Sequence, residues 1–322
     1  MKKIISILST MVLLFAGSAS ELFAQSYPNH PISLIIPMAP GDAVDITGRI
    51  MAEALANILK VSITPLNKPG AGGAVGTDLA AKSKKDGYTI LMVNSASIIT
   101  AKILHPEDVN YDPFRDLTPL GLTTVTPTVV TVKGDAPYRS LKELAEYSKK
   151  NPGKIRCAIP GVGTLADFNV PNVKNFTGAD ITIVPFKGAS PAITALIGGH
   201  VEMATSAITP VIDHLRSGEI RGLVISKKLP EFSTIPTLKE LGAPQDMFGV
   251  WFAFFAPAGI PAEVKEKLVP AIEKVVKDPA IVSKMAKMGL IQEFEPPEKL
   301  FKDMTEEYKI CEEIAKKTGL VK

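Results

Sequence analysis

A short stretch near the start of the chain places acidic side chains at a position where anions often bind. The sequence PMAPGDAVDITGRI, residues 37–50, follows an apolar run and leads into a helical pattern, so Asp42 and Asp45 stand where a helix begins. Unpaired backbone N–H groups point out of a helix start, and the helix dipole favours negative charge there. The turn therefore suits an anion, although two carboxylates within it would repel one.

Five further loops follow predicted strands and could contribute to the same site. They read KPGAGGAVG, NSAS, PGVGTLAD, FKGAS and TSAIT, and most are rich in Gly, Ser or Thr and run into helices. Such loops offer backbone N–H groups and hydroxyls to a small polar ligand. Because the loops at the carboxyl ends of strands meet at one edge of an α/β sheet, we expect them to face a common cleft.

The sequence offers no recognisable arrangement for catalysis. It contains no G-x-S-x-G motif, and its four histidines form no pattern with a serine and an acid. No pair of His or Cys residues has metal-ligand spacing, so we expect no metal site. The run GAGGAVG, residues 70–76, lacks the dinucleotide spacing and predicts a tight turn with close helix packing instead. We therefore expect a protein without enzyme activity, metal or cofactor.

The remaining reactive and charged groups have structural interpretations. Cys157 lies in a strand-like run and Cys311 on the apolar face of a terminal helix, so we expect both to be buried core residues rather than a disulfide. Paired acids, Glu306–Glu307 and Glu312–Glu313, lie on the same helix, and we expect them on its solvated face.

The N-terminal residues indicate export. Lys2 and Lys3 precede an apolar stretch and then small residues, which predicts a signal peptide over residues 1–24, with cleavage after Ala19 or Ala24. No cysteine lies near the cleavage region and no later stretch has the ~20 apolar residues of a membrane span. We expect a periplasmic, soluble protein that is not lipid-anchored. The net charge of only +3, without lysine runs interleaved with aromatics, argues against nucleic acid as a partner.

The pattern of the chain predicts an α/β protein. Short β-branched runs alternate with helical patterns, which indicates parallel sheets covered by helices, and the alternation restarts near residue 154. After about residue 261 only helices are expected, the first of them kinked or interrupted at Pro270. We predict two Rossmann-like lobes joined by crossing strands near residues 125–133 and 243–250, with a ligand cleft between the lobes. Lobe 1 would comprise residues 25–127 and 246–322, and lobe 2 residues 128–245.

Many short motifs along the mature chain match one known family. In chain order they are P-x-x-P-G-x-x-x-D (37–45), N-x-P-G-A-G-G-x-x-G (67–76), D-G-Y-T (86–89), Y-D-P-x-x-D-L-x-P (111–119), SLKEL (140–144), NPGK (151–154), G-x-G-T (161–164), VPFKGASPA (184–192), LIGGHVE (196–202), SGEIRGL (217–223), IPTLKELG (235–242) and FAPAGIP (255–261). Through these motifs the sequence resembles the Bug family, the periplasmic solute receptors of tripartite tricarboxylate transporters.

This resemblance implies a monomeric, two-lobed periplasmic binding protein of type II-like fold that closes on a small carboxylate and delivers it to a membrane permease. A sensory protein that presents its ligand to a kinase, or a secreted enzyme on the same scaffold, are the alternatives. Backbone N–H groups and hydroxyls of residues 38–45 and 160–164 would hold the ligand, and Lys187 could add a positive charge. Together with the loops above, the expected ligand-binding residues are Met38, Ala39, Pro40, Gly41, Asp42, Ala43, Asp45, Asn94, Ser95, Ser97, Pro160, Gly161, Val162, Gly163, Thr164, Asp167, Phe186, Lys187, Gly188 and Ser206.

The chain departs from the family pattern at positions that bear on the ligand. Relatives commonly have glycines at the positions of Asp42 and Ala43, a His-like residue at Asp167 and an aspartate at Ser206. Extra carboxylates at Asp42 and Asp167 would repel a dianion in a dehydrated cleft unless they point away or meet a donor on the ligand. This favours a ligand other than a plain di- or tricarboxylate: an amino acid, an N-heteroaromatic acid or a hydroxylated monocarboxylate. Asp45, which matches the family motif, is expected to cap the helix and shape the loop rather than to contact the ligand.

Overall fold

The computed structural model describes residues 27–321, so the predicted signal peptide lies outside the described residues. The helices are α1 (Ala43–Leu59), α2 (Ala74–Ala81), α3 (Ala101–Leu104), α4 (Leu141–Lys150), α5 (Leu165–Thr177), α6 (Ala189–Ile197), α7 (Ile212–Ser217), α8 (Ala262–Val276), α9 (Pro279–Ala286) and α10 (Pro297–Thr318). The strands are β1 (Ile32–Ile36), β2 (Ile63–Asn67), β3 (Thr89–Asn94), β4 (Leu117–Thr126), β5 (Thr128–Lys133), β6 (Ile155–Ile159), β7 (Ile181–Pro185), β8 (Met203–Ala207), β9 (Ile220–Ile225), β10 (Val250–Pro257) and β11 (Ile291–Glu295).

Two sheets organise these elements. A six-stranded sheet has the order β11-β4-β10-β3-β1-β2, and a five-stranded sheet has the order β7-β6-β8-β5-β9. The chain passes from the first sheet to the second between β4 and β5, and returns between β9 and β10. These passages agree with the two predicted crossings, and the fold is the expected pair of α/β lobes. The lobe boundaries given above stay a prediction.

The expected parallel pairing holds for part of each sheet, because both sheets are mixed. β1 pairs in parallel with β2 and β3, and β6 pairs in parallel with β7 and β8. However, β10 runs antiparallel to β3 and β4, and β5 runs antiparallel to β8 and β9. Strands β5 and β10 each follow a passage between the lobes, where no βαβ crossover fixes the direction, and β11 also runs antiparallel to its neighbour β4.

The sequence pattern did not predict two of the strands, β4 and β11. β4 contains Pro119 and Gly121, residues that weaken a strand signal, and β11 is a short, half-buried strand at the sheet edge that pairs with β4. The expectation of an all-helical tail is therefore wrong. The tail nevertheless packs on the first sheet, as expected.

Helix α8 continues through Pro270, so of the kink or interruption predicted there, the interruption is wrong. Pro270 lies on the exposed face of the helix. Water can therefore satisfy the carbonyl that loses its N–H partner there. None of the helices among residues 27–321 is both long and apolar enough to cross a membrane.

Helix α5 connects the cores of the two lobes. Its residues Leu165 and Phe168 are buried in the same apolar cluster as Trp251 of the first sheet and Met304 of α10. Because α5 starts directly after the loop at residues 160–164, that loop is attached to an element that packs against both lobes.

Asn169 of α5 also holds the two passages between the lobes together. Its Nδ2 donates to Thr128 Oγ1 and to the Phe248 carbonyl, both at 2.9 Å, and its Oδ1 accepts from the Phe248 N–H at 2.7 Å. Thr128 begins β5, and Phe248 precedes β10. A buried amide thus fixes the distance between the segments about which the lobes would move.

Candidate functional site

The loop after β1 is a tight turn held by an acid of the following helix. Gly41 has a φ of +86°, a conformation that favours glycine, and its N–H donates to Asp45 Oδ2 at 2.9 Å. Asp45 lies in the first turn of α1. The expected role of Asp45 in shaping the loop is thereby supported by a direct bond.

Asp45 is a buried acid with a full set of donors. Besides Gly41, Oδ1 accepts from Arg49 Nε at 2.9 Å and from Asn67 Nδ2 at 2.8 Å. Burial raises the pKa of the Asp45 carboxyl, but the bonds from Arg49, Gly41 and Asn67 outweigh burial and hold the pKa below its ordinary value. The side chain is therefore ionised and neutralised by Arg49 at neutral pH.

Asp42 caps α1 with its own side chain. Oδ1 accepts from the Val44 N–H at 2.9 Å, and the residue has the extended backbone of an N-cap. The side chain is exposed at the end of the helix. The Asp42 carboxylate is thus held within its own turn, although its exposed charge still borders the loop.

The loop after β6 repeats the turn of the first lobe. Gly163 has a φ of +77°, and its N–H donates to Asp167 Oδ2 at 3.0 Å. Asp167 lies in the first turn of α5, four residues after the glycine, as Asp45 does after Gly41. Burial raises the pKa of Asp167, and the bond from Gly163 offsets this only in part.

Backbone hydrogen bonds show that the two loops occupy equivalent places. The Lys68 N–H donates to the Ile36 carbonyl at the end of β1, and the Phe186 N–H donates to the Ile159 carbonyl at the end of β6. Each lobe thus presents a glycine turn and the start of a long helix at the end of a strand that has a parallel neighbour on each side. Both helix starts are typical of anion sites.

The loop after β3 forms hydrogen bonds within the first lobe. The Ser97 N–H donates to Asn94 Oδ1, and Ser97 Oγ lies 2.8 Å from the Gly72 carbonyl. A Cβ at Gly76 would lie 2.8 Å from Pro37 Cα, so the glycine-rich loop packs closely on β1. The interpretation of residues 70–76 as a tight turn with close packing is confirmed.

The remaining predicted site residues of the second lobe differ in their surroundings. The Gly188 N–H donates to the Pro160 carbonyl at 2.8 Å, which places the Phe186–Gly188 turn beside the loop at residues 160–164. Lys187 is exposed and forms no ion pair with another described residue. Ser206 is buried, and its Oγ donates to the carbonyl of Ala207 rather than to either loop.

The loops at residues 38–45 and 160–164 have different neighbours. In the part of the chain that the structure describes, no hydrogen bond joins residues 38–45 to residues 160–164. The loop at residues 160–164 lies against Leu104 of the first lobe, since a Cβ added at Gly163 would lie 2.2 Å from Leu104 Cδ1. Val162, at the tip of the second loop, is exposed.

Two side chains differ from the sequence analysis: Asn169 was not predicted to have a role, and Glu307 was predicted in the wrong surroundings. Asn169 gave no signal, because its partners lie in distant segments. Glu307 was expected in solvent, but its Oε2 accepts from Trp251 Nε1 at 2.8 Å and its Oε1 is buried. Cys157 and Cys311 are buried and unpaired, as expected.

A cluster with metal-ligand geometry lies outside these loops. His105, Glu107 and Asp108 bring ligand atoms within 4.8 Å of one another, and all three residues are exposed. Exposed acids with one histidine are an ordinary feature of solvated loops, so we assign no ion to them.

Comparison with known proteins places the chain in a family. The family model described as "Tripartite tricarboxylate transporter family receptor" matches residues 47–320. Protein BugT of Bordetella pertussis is 32% identical over 309 residues, which cover 95% of this chain and 93% of BugT.

Two solved structures share the fold. The periplasmic binding protein BugD superimposes with a TM-score of 0.72 at 30% identity, over 91% of this chain and 99% of BugD. MatC from Rhodopseudomonas palustris with bound malate gives a TM-score of 0.70 at 26% identity, over 89% of this chain and 99% of MatC. The chain has the fold of a two-lobed periplasmic binding protein and belongs to the family of tripartite tricarboxylate transporter receptors, which are solute-binding proteins.

Proposed function

We propose that the protein is exported to the periplasm, captures a small carboxylate between residues 38–45 and 160–164, and delivers it to the membrane subunits of a tripartite tricarboxylate transporter. The observation that carries the proposal is the pair of equivalent glycine turns, Gly41 and Gly163, each at the start of a long helix in a different lobe. The bound malate of MatC supports a carboxylate as the ligand class.

The physical basis is the electrostatics of the two helix starts. Each dipole stabilises an anion by ~0.3–1 kcal/mol at an exposed site, and by more when the surroundings lose water. An anion held between α1 and α5 interacts favourably with both starts only when the lobes approach each other. Ligand binding therefore selects the closed arrangement, which the membrane subunits would recognise.

Charged side chains near the loops modulate this attraction. Asp45 is neutralised by Arg49 and does not oppose an anion. Lys187 is exposed beside the second loop and adds a positive charge near the proposed ligand. The second loop is the less favourable one for an anion, because no cation among the described residues is paired with Asp167 as Arg49 is with Asp45.

A thermal-shift screen tests the proposal. Mono-, di- and tricarboxylates, hydroxy acids, amino acids and aromatic acids would be added to the mature chain, with the amides of the same acids, which lack the carboxylate charge, as matched controls. An acid at 100 times its dissociation constant stabilises the folded protein by ~2.7 kcal/mol, which gives a readable rise in melting temperature. At least one acid should raise it while its amide does not. A panel without any such acid would contradict the proposal.

A further inference from the structure

Asp45 and Asp167 are equivalent in position but not in their partners. Each lies in the first turn of a helix and accepts from the N–H of the glycine four residues earlier. Each is buried, with 3% and 4% of its surface exposed, respectively. Asp45 accepts from two further side chains, whereas Asp167 accepts no other hydrogen bond from the described residues.

Helix α5 has no residue that could pair with Asp167 as Arg49 pairs with Asp45. Arg49 follows Asp45 by four residues, the spacing that brings side chains together on one face of a helix. The residue four positions after Asp167 is Pro171, inside α5. Proline has neither a charge nor a donor to offer. The second helix therefore lacks the cation that neutralises the first acid.

The second sheet has no donor for Asp167 at the position that corresponds to Asn67. Asn67 ends β2 and pairs in register with Ile36 at the end of β1. The corresponding pair in the second lobe is Ile159 of β6 and Pro185 of β7. A proline thus replaces the asparagine whose amide donates to Asp45. Both side-chain donors of the first site are replaced by residues that cannot donate.

An ionised carboxylate in this position is under-compensated. Removing a carboxylate from water is unfavourable unless charges or several hydrogen bonds replace the water, and one backbone N–H does not suffice. Consistent with this, the pKa of Asp167 lies above its ordinary value. The carboxyl borders the proposed ligand, because its Oδ2 bonds the Gly163 N–H of the loop at residues 160–164.

Resting on the proposed function, we infer that the ligand supplies the missing cation: it is an acid with a protonated amine, whose ammonium group donates to Asp167. The carboxylate of the ligand then lies against the first lobe, where Asp45 is already neutralised. The amine lies against the second lobe, which gives the ligand a fixed orientation in the cleft. Asp167 is thus the specificity-determining residue between amino acids and plain or hydroxylated acids.

Calorimetric titration with acids of one carbon skeleton tests this inference. The probes are succinate, L-malate and L-aspartate, which carry hydrogen, hydroxyl and ammonium at the same carbon, and the matching series glutarate, L-2-hydroxyglutarate and L-glutamate. The wild-type protein should bind the amino member of at least one series tenfold or more tightly than the plain member. This rank order needs no variant, so it remains informative if a substitution impairs folding.

Two variants locate the effect. Asp167→Asn keeps the shape of the side chain and removes its charge, and it should lower the affinity for the amino member at least tenfold while leaving or raising the affinity for the plain member. Asp42→Asn is the matched control, because asparagine caps a helix as well as aspartate does. It should change the affinity for all members of a series by a similar factor.

The outcomes separate this inference from the proposed function. Tightest binding of succinate or glutarate by the wild type, with the order unchanged in Asp167→Asn, overturns the inference and leaves the carboxylate receptor in place. Tightest binding of the hydroxy member overturns it as well, because a hydroxyl brings no charge. If the thermal-shift screen finds no ligand among all classes of acid, both the receptor function and the inference fail.

Discussion

The indole of Trp251 donates a 2.8 Å hydrogen bond from Nε1 to Oε2 of Glu307, and Oε1 of the same carboxyl is buried without a partner among the described residues. Trp251 is the second residue of β10, just after the chain returns to the first lobe, and Glu307 lies in α10. Desolvation by burial, offset in part by the bond from Trp251 and reinforced by the charge of Asp303, raises the pKa of Glu307 to about 7.

This raised pKa predicts a pH dependence of stability. The folded protein holds the Glu307 proton more tightly than the unfolded chain, so this contribution is complete below the ordinary pKa of 4.5 and is lost as the pH rises through about 7. Glu307→Gln should remove the dependence. We expect the unfolding free energy of the wild type to fall, relative to this variant, by up to about 3 kcal/mol between pH 5 and pH 8.

Urea unfolding at several pH values measures this difference. Glu306→Gln, at the exposed neighbouring position, is the control and should follow the wild type. Parallel curves for the wild type and Glu307→Gln would show that the carboxyl is not perturbed.

Removing the Asp45 side chain should destabilise the loop at residues 38–45. In Asp45→Ala, the Gly41 N–H and the amide of Asn67 lose an ionised acceptor, and we expect a loss of roughly 3 kcal/mol at pH 7. Since the folded-state pKa of Asp45 is lowered, this loss should shrink as the pH falls below its ordinary value of 3.8. Chemical denaturation measures both effects, and Glu53→Ala on the exposed face of α1 is the control. A change below ~0.5 kcal/mol would contradict the role of Asp45.

Asn169 should be far more important for stability than its neighbour on the same helix. Asn169→Ala leaves Thr128 and both backbone groups of Phe248 without their side-chain partner, and we expect a loss of about 3 kcal/mol. Asn172 accepts a single 3.2 Å bond from Gln245 and has an unpaired buried Nδ2, so Asn172→Ala should cost less than about 1 kcal/mol. Thermal unfolding of the two variants gives the comparison, and equal losses would show that the amide does not hold the passages together.

The two glycine turns should respond differently to alanine. Gly41→Ala adds a Cβ with open space around it, so only the strain of the positive φ remains, about 1 kcal/mol. Gly163→Ala adds the same strain and pushes against Leu104 of the other lobe. Its effect on ligand affinity should therefore be the larger one, because the lobes cannot approach as before. Titration with a ligand from the thermal-shift screen decides this, and similar affinities in both variants would contradict a contact at Gly163 during closure.

The sequence predicted the lobes, the passages and the glycine turns because each depends on local signals. Runs such as ISLII and IRCAI mark strands, and the P-G and G-x-G-T turns mark the loops that follow them. β4 and β11 were missed because proline, glycine and half-buried polar residues weaken the strand pattern. Their place in the sheet is fixed by pairing with distant strands.

The side chains of the candidate site were likewise predictable only where local spacing along the chain determines their contacts. The link from Asp45 to Arg49 follows helix spacing and could be anticipated, but the burial of the Asp45 side chain could not. Glu307 was placed in solvent because a helical pattern indicates a face and not what covers it. The difference between Asp45 and Asp167 needed the register of two sheets, which shows that Asn67 and Pro185 are counterparts.

A crystal structure of the mature chain with the tightest-binding acid tests the central claim most directly. We predict that the ligand carboxylate lies within hydrogen-bond distance of backbone N–H groups in residues 38–45 or 160–164, with the lobes closed around it. Binding elsewhere would contradict the account, for example in the exposed groove of about 690 Å³ between Pro270 and Phe301 on the first lobe.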